Sequence, residues 1–177
     1  FIKDINRYFF NLSKTSEDEK RVIMYKEQEH RNILKSQFHN IDDFLISLKM
    51  KMTVYRNDNT VIPRLSQLTQ KTNQFNLTSK RYTEVDIKSF IEDNSSDIFC
   101  FSVEDRFGAS GITGLSIILN SKSNSVNIDT LLMSCRIIGR NLEYAFIDFI
   151  INEMKNRKVK TISSQFIATK KNRQVEV

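Results

Sequence analysis

The stretch SCRIIGRN at residues 134–141 lies between a segment with the pattern of a strand and a segment with the pattern of a helix. Residues 126–134 before it are rich in apolar and β-branched side chains, which predicts a strand. Residues 141–156 after it carry apolar side chains at helical spacing on a wide stripe, which predicts an amphipathic helix. Because residues 160–168 then predict another strand, the sequence indicates a strand–loop–helix–strand unit with a short basic loop.

This loop has the features of an anion-binding site. The first amides of a helix have no partner within the helix, and the helix dipole places about half a positive charge there. Gly139 lets the backbone approach a phosphate closely, and Arg136 and Arg140 can add bidentate contacts. The spacing alone is equally compatible with a basic loop that binds nothing, because the string R-x-x-G is short.

Outside this unit, periodicity predicts three more strands and several helices. The helices are expected at Thr15 to about Phe38, 41–45, 61–75 and 83–93, and the strands at 49–56, 98–103 and 112–119. The first helix is almost wholly polar in its middle, which is typical of a solvated connector. A chain of 177 residues with 40% hydrophobic content therefore supports one core with an appended helix.

The charge balance narrows the class of partner. A net charge of +6 favours phosphates, coenzyme A, an acidic carrier protein or nucleic acid. The chain has no run of five Lys or Arg and no alternation of basic and aromatic residues, so we expect no nucleic-acid partner. A nucleic-acid binder is kept as a third interpretation.

The cysteines, the histidines and the apolar segments indicate the cellular compartment and whether a metal site is expected. Two cysteines give no disulfide framework, and no signal peptide or long apolar run is visible, so we expect a cytoplasmic protein without a membrane partner. His30 and His39 have no ligand partner at useful spacing, so we expect no metal site.

The pattern R-x-x-G-x-G/A, which follows a strand and opens a helix, resembles the coenzyme A pyrophosphate loop of the GNAT acyltransferases. Arg136 and Gly139 match it, whereas Asn141 stands where a small Gly or Ala is usual. The resemblance implies an α/β (α+β) fold with a central mixed, mostly antiparallel sheet flanked by helices, preceded here by the connector helix. A pantetheine-bearing ligand in a cleft between the two strands that flank the loop would support this resemblance most directly. The implied cofactor-binding residues are Arg136, Ile138, Gly139, Arg140 and Asn141.

Longer strings resemble the C-terminal half of FkbH-like proteins. They are QKTNQFN at 70–76, Arg81-Tyr82, Asp105 to Gly108, and MSCR at 133–136 with Gly139-Arg140 and Glu143. In that family a haloacid-dehalogenase-like (HAD) phosphatase domain precedes this region. The resemblance therefore implies that residues 1–14 are its tail, 15–47 a helical connector, and 48–177 a GNAT-like domain with an incomplete C-terminal end.

The family resemblance also implies an activity. FkbH-like proteins take a glyceryl group from 1,3-bisphosphoglycerate, remove phosphate and load the acyl group as a thioester on an acyl carrier protein, in polyketide and surface-glycan pathways. The implied partners are the carrier protein and the phosphatase domain, and the implied cofactor is coenzyme A or a phosphopantetheine thioester, without a metal. The chain is then the acyltransferase part of a bifunctional enzyme, or alternatively a non-catalytic module that docks the carrier protein.

Two sets of residues are candidates for the chemistry. The substrate-binding candidates are Lys71, Thr72, Asn73, Gln74, Asn76, Arg81, Arg106 and Asn172. The amides of the QKTNQFN string can read a polyhydroxy acyl group, or they can cap a helix end.

The catalytic candidates are Cys135, as a nucleophile beside the basic loop, and Asp105, as a general base. Structural alternatives for these two are a buried cysteine and a hairpin turn. Cys100, inside an apolar strand, is expected to pack in the core.

Overall fold

The computed structural model of the protein describes residues 16–121 and 124–175, which form two compact units that divide between Leu48 and Lys49. The first unit contains helices α1 (Ser16–Lys35) and α2 (Ile41–Ser47), and the side chain of Asn40 caps α2 by accepting from the Asp42 amide. The predicted phosphatase tail at residues 1–14 lies outside the described residues.

Along the described ranges, no helix combines the length and apolar character that crossing a membrane requires.

The second unit is a six-stranded sheet with helices on both faces. Its strands are β1 (Lys51–Arg56), β2 (Phe75–Asn76), β3 (Ser96–Asp105), β4 (Gly108–Ser121), β5 (Ser125–Met133) and β6 (Thr161–Ser164). Its helices are α3 (Ile62–Lys71), α4 (Glu84–Glu92) and α5 (Leu142–Asn156). The strand order is β1-β3-β4-β5-β2, and β6 also pairs with β5. All pairs are antiparallel except β5 with β6, which is parallel, as the predicted strand–loop–helix–strand unit requires.

The alternation of side chains along β3 divides the interior into two cores. Phe99 and Phe101 point to the α5 side, where they pack with Phe146 and Ile150. Ile98 and Cys100 point to the other side and pack with Leu65 and Leu68 of α3 and with Ile87 of α4. Since successive strand residues face opposite ways, one apolar run supplies both layers. The expected packing of Cys100 is confirmed.

A buried carboxylate joins three elements at one end of this sheet. Asp97, with a side chain 3% exposed, accepts from Arg56 at the end of β1 and from Arg157 just after α5, at 2.7 and 2.6 Å. Both guanidinium groups also lie against the Phe99 ring. The paired charges satisfy a carboxylate that would otherwise be costly to bury.

The sequence places most elements correctly, but it misses β2 and misjudges several boundaries, two of which bear on the site. The helix predicted at 61–75 ends at Lys71, and Phe75 and Asn76 form a strand instead. The strand predicted at 160–168 extends over 161–164 only. Both differences have one cause: residues 75–77 take the hydrogen bonds along β5 that a longer β6 would otherwise take.

A second polar cluster fastens the chain after β2 to β5. Asp129 stands at an irregularity in the pairing of β4 with β5 and accepts from Lys80, Tyr82 and Thr130. The Tyr82 hydroxyl donates at 2.6 Å. Burial first, and then the hydrogen bond to Asp129, raise the pKa of Tyr82 well above its ordinary value.

We predict that Gly114→Ala destabilises the sheet by roughly 1–3 kcal/mol. A Cβ at Gly114 would overlap three carbons of the Phe101 ring, which is fully buried and packs against Phe146. Urea denaturation measures the loss. The double variant Gly114→Ala/Phe101→Leu should recover part of it, and a fully stable Gly114→Ala would contradict this packing.

Tyr82 predicts a specific weakness in alkali. The folded chain keeps Tyr82 protonated above its ordinary pKa, whereas the unfolded chain ionises it near pH 10, so the free energy of unfolding should fall as pH rises above about 10. Tyr82→Phe should lower the free energy of unfolding by about 1–2 kcal/mol at neutral pH. The stability of this variant should then decline less in alkali than that of the unmodified chain. Denaturation curves across pH test this, and Tyr144→Phe, which alters a side chain on a residue 67% exposed, is the matched control.

Candidate functional site

A cleft of about 720 Å³ opens beside the end of β5. It is lined by residues from three parts of the chain: Arg64, Gln67, Leu68, Lys71, Thr72, Asn73 and Gln74 from α3 and the turn after it; Ser134, Cys135 and Arg136 from the loop after β5; and Lys170 and Lys171 near the C-terminal end. The structure thus brings together two strings that the sequence separates by some sixty residues, QKTNQFN and SCRIIGRN.

Strand register explains why these strings meet. Phe75 of β2 lies opposite Met133 of β5, and Asn76 lies opposite Leu132. Because the two strands are antiparallel, the residues just before Phe75 must lie beside those just after Met133. Thr72, Asn73 and Gln74 therefore face Ser134 and its neighbours across the cleft.

One face of α3 forms a wall of the cleft. Arg64, Gln67 and Lys71 are spaced by three and four residues, so they share a side of the helix, while Leu65 and Leu68 anchor it to the sheet. Arg64 and Gln67 are not predicted as site residues from the sequence. The signal was present as a polar stripe at helical spacing, but only the packing of α3 shows that the stripe faces a cleft.

The cleft carries positive charge without internal compensation. Its five cations are Arg64, Lys71, Arg136, Lys170 and Lys171, and no Asp or Glu is among the lining residues. None of the five forms an ion pair with a residue that the structure describes. By contrast, the carboxylates of Asp97, Asp105 and Asp129 each pair with Arg or Lys outside the cleft. An unbalanced positive cleft concentrates its field and attracts anions.

The two cysteines lie in opposite environments. Cys135 is exposed and lines the cleft, where the predicted nucleophile needs to be. Cys100 is buried, and burial, with a smaller effect of the Asp58 charge, raises its pKa to about 12. Only Cys135 is therefore placed to react with a ligand in the cleft.

Four of the eight predicted substrate-binding residues line the cleft: Lys71, Thr72, Asn73 and Gln74. The structure gives Asn76 and Asn172 a framework role instead, because both are fully buried and their amides bond to the main chain. Asn76 donates to the Thr72 carbonyl and accepts from the Ser79 amide, at 3.1 and 2.9 Å. Asn172 donates to the Asn76 and Ile167 carbonyls, at 2.8 and 2.9 Å.

The two remaining predicted substrate ligands also differ from expectation. Arg81 donates to the Thr69 and Thr72 carbonyls, so it caps the end of α3 and also holds the Asn73 side chain in place. Arg106 is exposed at the tip of the hairpin between β3 and β4, where it stacks on Phe107, and it is not among the cleft-lining residues. Neither placement supports direct contact with a substrate in this cleft.

Arg140 and Asp105 form an ion pair that corrects two predictions. Arg140 is 7% exposed, and its guanidinium donates to Asp105 at 3.2 Å and to the Arg136 carbonyl at 3.0 Å. The Asp105 side chain is 1% exposed and also accepts from the amides of Phe107 and Gly108. Arg140 therefore braces the loop rather than a phosphate, and Asp105 closes the predicted hairpin turn rather than acting as a general base.

The backbone of the loop is only partly open. The Ile138 amide donates to the Cys135 carbonyl at 3.4 Å, so it is used within the loop. Gly139 has a φ of 78°, and a Cβ built there would meet no atom within 4 Å, so this stretch of backbone is open. Asn141 is exposed, has a left-handed φ of 57° and provides no side-chain cap for α5. The start of α5 thus offers uncapped amides beyond Gly139.

The gap between the strands that flank the loop is filled. The outer edge of β5 pairs with β6 at residues 125–128 and with residues 75–77 at its other end. The Ile167 amide in turn bonds to the Leu77 carbonyl, at 2.9 Å. Backbone pairing therefore occupies the space between these two strands, and the open cleft lies beside α3. Within the described ranges, no three metal-ligating side chains come together.

Comparison with solved structures places the fold. The structure is similar to ribosomal-protein-alanine N-acetyltransferase from Brucella melitensis biovar Abortus 2308, with a TM-score of 0.54 and 11% identity over 68% of this chain and 84% of that one. It is also similar to Rv2747 from Mycobacterium tuberculosis, solved in complex with CoA and NLQ, with a TM-score of 0.52 and 13% identity over 66% of each chain. No protein-family model and no curated protein sequence matches the chain. The domain has the fold of the GNAT acetyltransferases, as predicted, and at these identities the likeness shows the fold alone.

The cleft predicts a difference in thiol reactivity. With a negatively charged aromatic disulfide, we expect one rapid reaction at Cys135, while Cys100 reacts only on unfolding. The five cleft cations should favour the anionic reagent over a neutral one, and added salt should reduce that preference. Cys135→Ser should abolish the rapid phase and Cys100→Ser should preserve it; the reverse result would contradict this assignment.

Proposed function

We propose that the cleft binds a phosphopantetheine thioester and that the domain transfers a small acyl group to or from the thiol of that arm. The observation that carries the proposal is that one cleft contains an exposed thiol and five cations that form no ion pair with any described residue. The cations suit the phosphate end of the arm, and Cys135 suits its thioester end. The GNAT acetyltransferase fold supports an acyl-transfer role, and coenzyme A is the matching free cofactor.

The chemistry at Cys135 is a thioester exchange. The Cys135 thiolate attacks the thioester carbonyl, the bond from the carbonyl carbon to the pantetheine sulfur breaks, and the departing sulfur takes up the proton that Cys135 gave up. The reverse sequence loads the acyl group onto another pantetheine thiol. No oxidant or reductant is needed, because one thioester replaces another.

The acyl group that fits best is a small polar one, and glyceryl is our specific proposal. The amides of Asn73 and Gln74 and the Thr72 side chain line the cleft and can hydrogen-bond to hydroxyl groups. The resemblance of QKTNQFN and MSCR to FkbH-like proteins supports the same acyl group, derived from 1,3-bisphosphoglycerate and carried by an acyl carrier protein. Removal of phosphate belongs, in this proposal, to a HAD-like phosphatase domain in the full-length chain.

A second candidate function is a docking module for the carrier protein. It is favoured by one observation: no Asp, Glu or His lines the cleft to act as a general base, and Asp105 is committed to Arg140. Under this alternative the basic cleft holds the acidic carrier protein close to the phosphatase domain without chemistry of its own.

A transfer assay separates the two candidates. The 177-residue chain is mixed with a glyceryl thioester of a phosphopantetheine carrier and with an acceptor carrier, so that no phosphatase step is required. We expect transfer, with an acyl adduct on Cys135 detected by mass spectrometry. Cys135→Ala should lose both the adduct and the transfer, while Cys100→Ala, which removes the buried thiol, should retain them. Carrier binding without turnover, unchanged in Cys135→Ala, would establish the docking module instead.

A further inference from the structure

Arg64 is held rigidly at the wall of the cleft. Its Nε donates to the Ile112 carbonyl of β4 at 3.0 Å, and its Nη1 donates to the Gln67 side chain one turn along α3. Its Nη2 forms no hydrogen bond or ion pair with any residue in the described part of the chain. A guanidinium fixed on two sides and open on the third is positioned to bind a ligand with little loss of side-chain entropy.

Arg136 brings a second guanidinium to the same cleft. Burial first, and then the positive charge of Arg136, lower the pKa of Arg64, so the two groups are near enough to repel each other. No Asp or Glu is among the residues that line the cleft with them. Two like charges at a partly buried site cost free energy unless an anion lies between them.

We propose that Arg64 and Arg136 together bind a phosphate group, with Lys71, Lys170 and Lys171 supplying the surrounding positive potential. Paired guanidinium groups present forks of N–H donors that match phosphate oxygens. The phosphate can belong to the pantetheine arm or to a small substrate from which phosphate has not yet been removed, since both present the same chemistry. This inference rests on the proposed function, because the pantetheine arm and the small substrate are the ligands proposed for this cleft. It assigns Arg64 a binding role that the loop motif does not contain.

Titration of the 177-residue chain with inorganic phosphate, followed by calorimetry, tests the site. Arg64→Gln should weaken phosphate binding at least about tenfold, the loss expected for hydrogen bonds to a charged group. Arg64→Lys should weaken it by a smaller factor, because the charge remains and the fork is lost. Lys160→Gln, which removes one exposed charge from outside the cleft lining, is the control and should bind as the unmodified chain does.

Unchanged phosphate affinity in Arg64→Gln overturns the proposal. Should Arg64→Gln fail to fold, Arg136→Gln decides, because the Arg136 side chain is exposed and forms no ion pair with any described residue. A loss of at least about tenfold supports the site, and no loss overturns it.

Competition with coenzyme A then identifies the source of the phosphate. If the arm supplies it, inorganic phosphate displaces coenzyme A, and Arg64→Gln weakens coenzyme A binding while leaving phosphate-free pantetheine unaffected. If the small substrate supplies it, phosphate and coenzyme A bind together, and Arg64→Gln weakens phosphate alone. Both results support the site. Phosphate binding with the expected Arg64 dependence, but no binding of coenzyme A or transfer from a carrier thioester, would reject the proposed function and leave the phosphate site standing.

Discussion

The pairing of Phe75 and Asn76 with Met133 and Leu132 is the constraint on which the candidate site depends. Phe75 and Asn76 end the turn after α3, and they also pair with the outer edge of β5. The buried Asn76 amide reinforces the pairing by tying the chain back to Thr72, and Asn172 adds the C-terminal segment to the same point. Three distant segments converge because buried polar groups must find partners, and here they find them in one another.

The distribution of charge separates framework from site. Where Arg or Lys meets a buried carboxylate, as at Asp97, Asp105 and Asp129, the pair joins strands, loops and a helix end. In the cleft the cations have no such partner among the described residues. A cation that holds the fold together needs an internal anion, whereas one that binds a ligand must keep its donors open. The same residue types therefore serve two purposes, which only their partners distinguish.

The loop after β5 shows this division within a few residues. Arg140 turns inward to Asp105 and to the carbonyl of Arg136, which fixes the loop backbone. Arg136 is thereby left exposed at the cleft beside Cys135. From the sequence alone, Arg136 and Arg140 are both predicted as phosphate ligands. The structure assigns bracing to one and ligand contact to the other, because only Arg140 lies within reach of the carboxylate on the β3–β4 hairpin.

The sequence by itself determined the order of the elements other than β2, the two-faced sheet and the loop between β5 and α5, because periodicity and turn chemistry are local properties that neighbouring residues encode. It also identified Cys135, Arg136 and residues 71–74, whose strings are distinctive. It could not show that residues 75–77 would pair with the edge of β5 or that Arg64 would face the same cleft. It also could not show that Asp105, Asn76 and Asn172 would form hydrogen bonds within the fold and not with a ligand. Those outcomes depend on strand register and on hydrogen-bond partners far apart in the chain, which exist only once the sheet has formed.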